Sequence, residues 1–389
     1  MVRSSLAGLL LAAISSSLVF GAEPRMAGHS VAGFPQAIRQ VGFEAGGPGC
    51  ATDSSGYSPL VTPAPGGNEP TPADPAAPAT PPASPFEQAV NDSSFAPPTQ
   101  GFAGTPTTVA AAGGYLDPAA PLTTLRFRYD AAFGSNFPDR GEYIYAKSGF
   151  FRTAAGPLND PNAQGLVRQE RNVDFEDYRF YGEYAFTRRF SIFTETAIRA
   201  IDPEVNSNGT GFGDMSAGFK FALLASEEQY LTVQLRTYIP TGEANRGLGN
   251  GHVSIEPAIL YLRQMGRWQL QGQIMEWVPI NGSNYQSNVI SYGAGLGYLL
   301  VDQCNYRITP VTELVGWTFL NGAKSSILGQ SSATNDAILN IKIGARIGLG
   351  RVDPGNRTGQ STLYFGYGHA LTEDRLYRDL FRAEYRWQF

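Results

Sequence analysis

Residues 380–389 constrain the fold more than any other stretch. Phe381, Ala383, Tyr385, Trp387 and Phe389 occupy alternate positions, and Arg382, Glu384, Arg386 and Gln388 occupy the positions between them. A period of two is the signature of a strand with two unlike faces. In water the aromatic face would need a core to cover it. In a bilayer it needs none, provided that every backbone group finds a partner within a closed barrel of strands. The competing reading, an amphipathic edge strand of a soluble sandwich, is disfavoured because the alternation recurs along the chain. A terminal strand of this kind ending on Phe resembles the assembly signal of bacterial outer-membrane barrels. Phe381, Tyr385, Trp387 and Phe389 are therefore expected to engage the barrel-assembly machinery.

The recurrences fall at 123–133, 173–186, 190–201, 213–224, 230–239, 253–262, 268–278, 289–300, 306–319, 337–349 and 362–370, making twelve strands with 380–389. Most have the length that a tilted strand needs to cross a bilayer. Their connections alternate long and short, as extracellular loops and periplasmic turns do. Only 350–361 is too long for a tight turn. The expected fold is all-β: a transmembrane, antiparallel, up-and-down barrel of about twelve strands spanning 122–389, embedded in outer-membrane lipid. Pro257 and Pro310 sit in mid-strand, where a missing N–H breaks the ladder, and they imply a bulge or kink.

Ahead of the strands the composition changes. Arg3 followed by the apolar run 6–20 and small residues at Val19 and Gly21 reads as a secretory signal, 1–21, too short for a comfortable transmembrane helix. Residues 22–121, dense in Pro, Ala and Gly, read as a disordered periplasmic linker, serving as a passive spacer or a tether to the cell wall. Cys50 and Cys304 would both meet an oxidising compartment, where they either pair or remain two thiols. The three histidines, His29, His252 and His369, have no metal-ligand spacing. No metal or other cofactor is expected. A net charge of −5 gives no reason to expect a nucleic-acid partner.

The inward face would carry Arg126, Arg128, Arg179, Glu183, Glu195, Arg199, Lys220, Arg236, Glu256, Lys342, Arg346, Arg382, Glu384 and Arg386. Such residues either line a water path or pair and fill the bore. Twelve strands lie between the eight whose interior is just filled by side chains and the sixteen or so of open porins, so a narrow or gated pore is expected. On the eighth strand Ser291, Gly293, Gly295 and Gly297 share the inward face, and Gly344 and Gly348 join them from the tenth. A run of glycines on one face suggests close approach of other chain. The longest loop, 134–172, with Tyr143, Tyr145, Phe150 and Phe151, is the expected occupant. Alternatively, these glycines only ease sheet curvature.

Two stretches carry a resemblance: GFGDMSAGFKFALL at 211–224 and PTGEANRGLGNGH at 240–252. A Gly-x-Gly-Asp strand start followed by Pro-Thr-Gly and a Gly-rich loop resembles the MetA-pathway of phenol degradation family. The resemblance covers about 178–389. It implies an outer-membrane, transporter-like barrel that takes up aromatic or hydrophobic compounds. Asp214, Pro240, Thr241 and Gly242 would then lie at the extracellular rim, with Asp214 capping a turn or holding a ligand. The expected function is passive admission or binding of a small solute. A non-conducting structural barrel is the alternative. A membrane esterase using His252 and Ser254 is a further one, though the twelfth residue after Ser254 is Gly266 and not the Asn of outer-membrane phospholipase A. No Gly-x-Ser-x-Gly elbow or phosphate loop appears, so the chain is not expected to be an enzyme.

If the terminal strand carries the assembly signal, deleting Phe389 lowers the folded fraction in the outer membrane. Heat-modifiable mobility on a gel measures it, and unchanged mobility would count against that role.

Overall fold

In a computed structural model the protein is described over residues 114–136, 149–168, 170–280, 285–303, 306–326, 329–349 and 360–388. The signal segment, the Pro-rich stretch up to residue 113, Cys50, Cys304, Tyr143, Tyr145 and Phe389 lie outside these residues.

Sixteen strands are described: β1 (Thr124–Ser135), β2 (Val173–Ala185), β3 (Phe190–Pro203), β4 (Gly209–Phe212), β5 (Met215–Ala225), β6 (Gln229–Ile239), β7 (Val253–Met265), β8 (Trp268–Ile280), β9 (Val289–Tyr298), β10 (Val301–Asp302), β11 (Tyr306–Phe319), β12 (Ala323–Ser326), β13 (Gly329–Ser332), β14 (Ala337–Leu349), β15 (Gln360–Ala370) and β16 (Asp379–Gln388). Twelve of them are long, and each pairs antiparallel with its neighbours in chain order. The ladder closes where β16 pairs with β1, from Thr124 opposite Gln388 to Phe133 opposite Asp379. The short strands are extensions: β4 continues β5 along β3, β10 folds back on β11, and β12 and β13 form a loop hairpin. No described helix is long and apolar enough to cross a membrane.

The twelve expected strands are the twelve long ones. Their faces also agree with the alternation. Leu125, Phe127, Phe180, Tyr184, Phe219, Val233, Ile343, Phe381, Tyr385 and Trp387 are exposed on the outside, while Arg126, Asp177, Glu183, Thr232, Gln234, Asn340, Arg382 and Glu384 are buried inside. Near the short turns the outer aromatics form one cluster in which Tyr184 meets Phe186 and Phe186 stacks on Phe190, with Trp268 against Tyr298. At the other end Phe381 packs against Phe133 and Tyr367. Two aromatic girdles flanking an apolar band are what an outer-membrane barrel requires.

The prolines behave differently from expectation. The β7–β8 pairing runs from Ile255–Val278 to Ala258–Met275 with no shift of register. Pro257 thus sits in a two-residue gap of an otherwise regular ladder, with no bulge. Pro310 lies where the β9–β11 pairing stops, one residue short of Val311–Gly297. Each proline occupies a place where no donor is asked for. The register shifts that do occur are at Ala132/Ser135 and Ala222/Leu224.

Two labelled positions test the orientation in a Cys50→Ser, Cys304→Ser background. Asn245→Cys, in an exposed long loop, reacts with an impermeant maleimide on whole cells, whereas Glu228→Cys, in a short turn, does not. The reverse pattern would invert the barrel.

Candidate functional site: the lumen and the segment that fills it

Residues 114–122, GYLDPAAPL, run inside the barrel and do not end a periplasmic linker as composition suggests. The wall holds their backbone at every level. Glu183 accepts a hydrogen bond from the Leu122 N–H (3.3 Å), and the Thr232 hydroxyl donates to the Ala119 carbonyl (2.5 Å). Gln273 accepts from the Asp117 N–H (2.9 Å). The Glu313 carboxylate, 1% exposed, accepts from the N–H groups of Tyr115 (2.9 Å) and Leu116 (3.4 Å). Arg382 donates to the Gly114 carbonyl (2.8 Å). Pro118 and Pro121 have no N–H to satisfy, which makes this a sequence suited to burial without a ladder.

Side chains complete the fit. A Cβ on Gly293 would lie 2.5 Å from Leu116 Cδ2, and one on Gly295 would lie 3.1 Å from Leu116 Cδ1. The glycine face therefore does receive another stretch of chain, but the stretch is Leu116 and not the 134–172 loop. In the described part of that loop Phe151 stacks on Tyr285 at 4.1 Å beside Ala163 and Ala323, while Leu166 joins the buried cluster that holds Leu116. Gly344 serves another purpose, since Tyr364 lies across it and across Gly366. Toward the short-turn end Ala119 and Ala120 close the bore against Ala222, Tyr230, Ala258, Leu260, Leu262 and Met275.

The expected lumen residues all face inward, and most are paired. Asp177 takes Arg199 in a bidentate contact (2.6 and 2.8 Å) and also Arg179 (2.9 Å). Glu195 gathers Arg126 (2.7 Å), Arg179 (2.9 Å) and Arg128 (3.7 Å). Asp130 holds Arg382 through both oxygens (2.6 and 2.8 Å) and Arg128 at 3.2 Å. Lys220 meets Glu183 (2.9 Å), and Arg386 meets Glu384 (2.8 Å). Arg236 bridges Glu256 (2.8 Å) and Asp117 (2.6 Å), and Arg346 donates to Gln269. Lys342 is different. Among the described residues it makes no ion pair, and its ammonium sits 4.0 Å from the Tyr115 ring, 5.3 Å from that of Trp317 and 5.7 Å from that of Tyr377. Burying ion pairs costs about what their attraction returns, so the network keeps the bore neutral and filled more than it stabilises the fold. A chamber of about 220 Å³ remains, bounded by Tyr115 and Asp117, the arginine network, Trp277, Trp317 and Tyr377.

Sequence reasoning missed Asp117, Tyr115 and Glu313 as members of this site. Asp130 and Asp177 stood on the correct face but were not counted among the charges that matter.

At the rim the two motif stretches meet. One Asp214 oxygen accepts from the Gly242 N–H (3.0 Å) and the other from the Asn250 N–H (2.6 Å). The Thr241 hydroxyl donates to the Gly213 carbonyl (2.9 Å) and accepts from the Met215 N–H (2.9 Å). Gly249 is where a Cβ would stand 2.3 Å from Asp214 Oδ1. Asp214 is a cap of the 240–252 loop, Thr241 and Gly242 are its partners, and Pro240 is the exposed residue that leads into it. Burial raises the Asp214 carboxyl above the usual aspartate value, against the pull of the two N–H groups. His252 Nδ1 lies 3.0 Å from the Asn250 carbonyl and 2.6 Å from the Gln286 amide, while the Ser254 hydroxyl has no hydrogen-bond partner, so no His–Ser pair forms.

Asp214→Ala leaves two N–H groups without an acceptor and costs about 2 kcal/mol, read as a lower urea midpoint of the barrel in detergent. Burial also holds the His252 imidazole below its usual pKa, so the unfolded chain takes up the proton first. Stability therefore falls as pH drops below the ordinary histidine range, near 6.5. His252→Gln removes that part of the slope in urea titrations run across the window.

Residues 167–303 match the sequence profile of the MetA-pathway of phenol degradation family. No curated protein matches the chain. Among solved structures, an outer membrane channel from Pseudomonas putida F1 is 13% identical, covering 71% of this chain and 100% of its own, with a TM-score of 0.43. The KdgM porin is 7% identical, with 68% and 99% covered and a TM-score of 0.34. LpxR from Salmonella typhimurium is 10% identical, with 69% and 100% covered and a TM-score of 0.35. The barrel assignment rests on the closed ladder itself and not on these likenesses. The stretch of this barrel that is similar to the MetA-pathway of phenol degradation family thus runs from just before β2 to just past β10.

Proposed function

We propose that the protein is a passive outer-membrane channel for small aromatic or hydrophobic solutes, closed at rest by its own N-terminal segment. The observation that carries this reading is the placement of 114–122. A bore with a polar, charged wall and a residual chamber is blocked by a stretch of chain that belongs to none of the wall strands. A wall built only to be filled would need no removable part. The partners on this reading are outer-membrane lipid, the assembly machinery at the terminal strand, and the solute.

The backbone hydrogen bonds that the wall makes to the segment favour one rival, a structural barrel that never conducts. Leu116→Asp separates the two. It removes the contact with Gly293 and Gly295 and sets a carboxylate against Glu313, which expels the segment. In planar bilayers the variant should show discrete, salt-dependent steps several-fold larger than the parent protein. Silence from both would leave the structural barrel. Ester hydrolysis abolished by Ser254→Ala would instead indicate the membrane esterase.

A further inference from the structure

We infer that the place held by Tyr115 and Asp117 is the solute site, and that the segment occupies it as a tethered stand-in for an aromatic carboxylate. This rests on the channel reading above and names the chemistry of what passes.

Two features of the occupant define the ligand. The first is a ring between two cations. The Tyr115 centroid lies 4.0 Å from Lys342 Nζ and 4.0 Å from the Arg382 guanidinium carbon. The Tyr115 hydroxyl is buried without a hydrogen-bond partner, so the site recognises the ring and not the phenol oxygen. A desolvated cation over a ring face is attracted by the negative face of the ring's quadrupole. The second is an anion. The Asp117 carboxylate accepts from Arg236 at 2.6 Å and from Gln234 at 3.3 Å. Ring and carboxylate stand two residues apart on one short stretch, and both border the same chamber.

The wall explains why the occupant is anionic. Around the chamber the barrel strands and rim contribute seven cationic and five carboxylate side chains, and Asp117 is the sixth carboxylate. When the segment leaves, its charge leaves with it. An uncharged solute would then leave Arg236 with one of its two carboxylate partners missing, whereas an aromatic carboxylate replaces both the ring and the charge. Lys342, which stands opposite Glu313 on the neighbouring strand without an ion pair among the described residues, gains most.

Calorimetric titration of the refolded full-length chain in detergent tests this with three probes: 3-phenylpropionate, 3-cyclohexylpropionate and 3-phenylpropionamide. Tyr115→Ala and Asp117→Ala alter the occupant and leave the wall intact. Each should tighten phenylpropionate binding by about tenfold, the size of one such contact. Tyr115→Phe keeps the ring and should bind the probe like the parent. The cyclohexyl and amide probes should bind about tenfold more weakly than phenylpropionate. Adding Lys342→Met or Arg236→Met to Tyr115→Ala should abolish the gain. Equal affinity in the parent and both alanine variants, or equal affinity for the three probes, overturns the inference. Conductance of Leu116→Asp reports on the channel separately. Steps without any change in probe affinity sink the solute site alone, and a tightened site in a silent barrel sinks the channel alone.

Discussion

A strand in lipid can place its backbone hydrogen bonds only on another strand, and the closure of β16 on β1 follows from that constraint. The remaining features follow in turn. With the ladder closed, one side-chain set faces hydrocarbon and the other faces the bore. Twelve strands make a bore wider than side chains of ordinary length can fill. The charges that project into it must be neutralised at short range, as Asp130, Asp177 and Glu195 do for their arginines. The space that remains takes 114–122. Glu313 is the hinge of this arrangement, because one buried carboxylate satisfies two successive N–H groups of a segment that has no strand to pair with.

The barrel was legible in the sequence because its signal is a period. Phe381 to Trp387 states the rule, and strands such as β1, β2, β5, β6 and β14 repeat it closely enough to place both faces. The segment in the bore was not legible, for a physical reason. GYLDPAAPL has no alternation, two prolines and little apolar bulk, and those properties also describe a disordered linker. What separates the two cases is the presence of matched acceptors on distant strands, which no local pattern encodes. Glu313 escaped notice for a related reason. On β11 the inward set includes Val311, Val315, Trp317 and Phe319, so the strand breaks the polar-inside rule and its single carboxylate does not stand out. The glycines of β9 were legible as a surface of close approach. Among the described residues it is Leu116, and not the 134–172 loop, that meets Gly293 and Gly295, because loop length says nothing about where a loop packs.

The two motif stretches give a different lesson. Their glycines and Asp214 lie far apart in sequence but meet at the end of β6, where the carboxylate caps the following loop and Gly249 lets it approach. Their spacing is the spacing of a clamp that fixes a loop at the barrel mouth. That role is compatible with any solute, so the family profile speaks to architecture, while the side chains that hold the segment in the bore stand on β6, β11, β14 and β16.

The position of Asp117 makes the state of the bore a matter of electric potential as well as obstruction. With the segment in place, the wall's seven cations face six carboxylates, and the chamber is close to neutral. Without Asp117, Arg236 keeps Glu256 alone, and the positive charge it leaves lies in a cleft of low dielectric, where field lines are focused and mobile counter-ions concentrate. On the proposed channel reading, obstruction and ion selectivity are carried by the same short piece of chain: displacing it would favour anions, because it removes a residue that masks the charge of the wall.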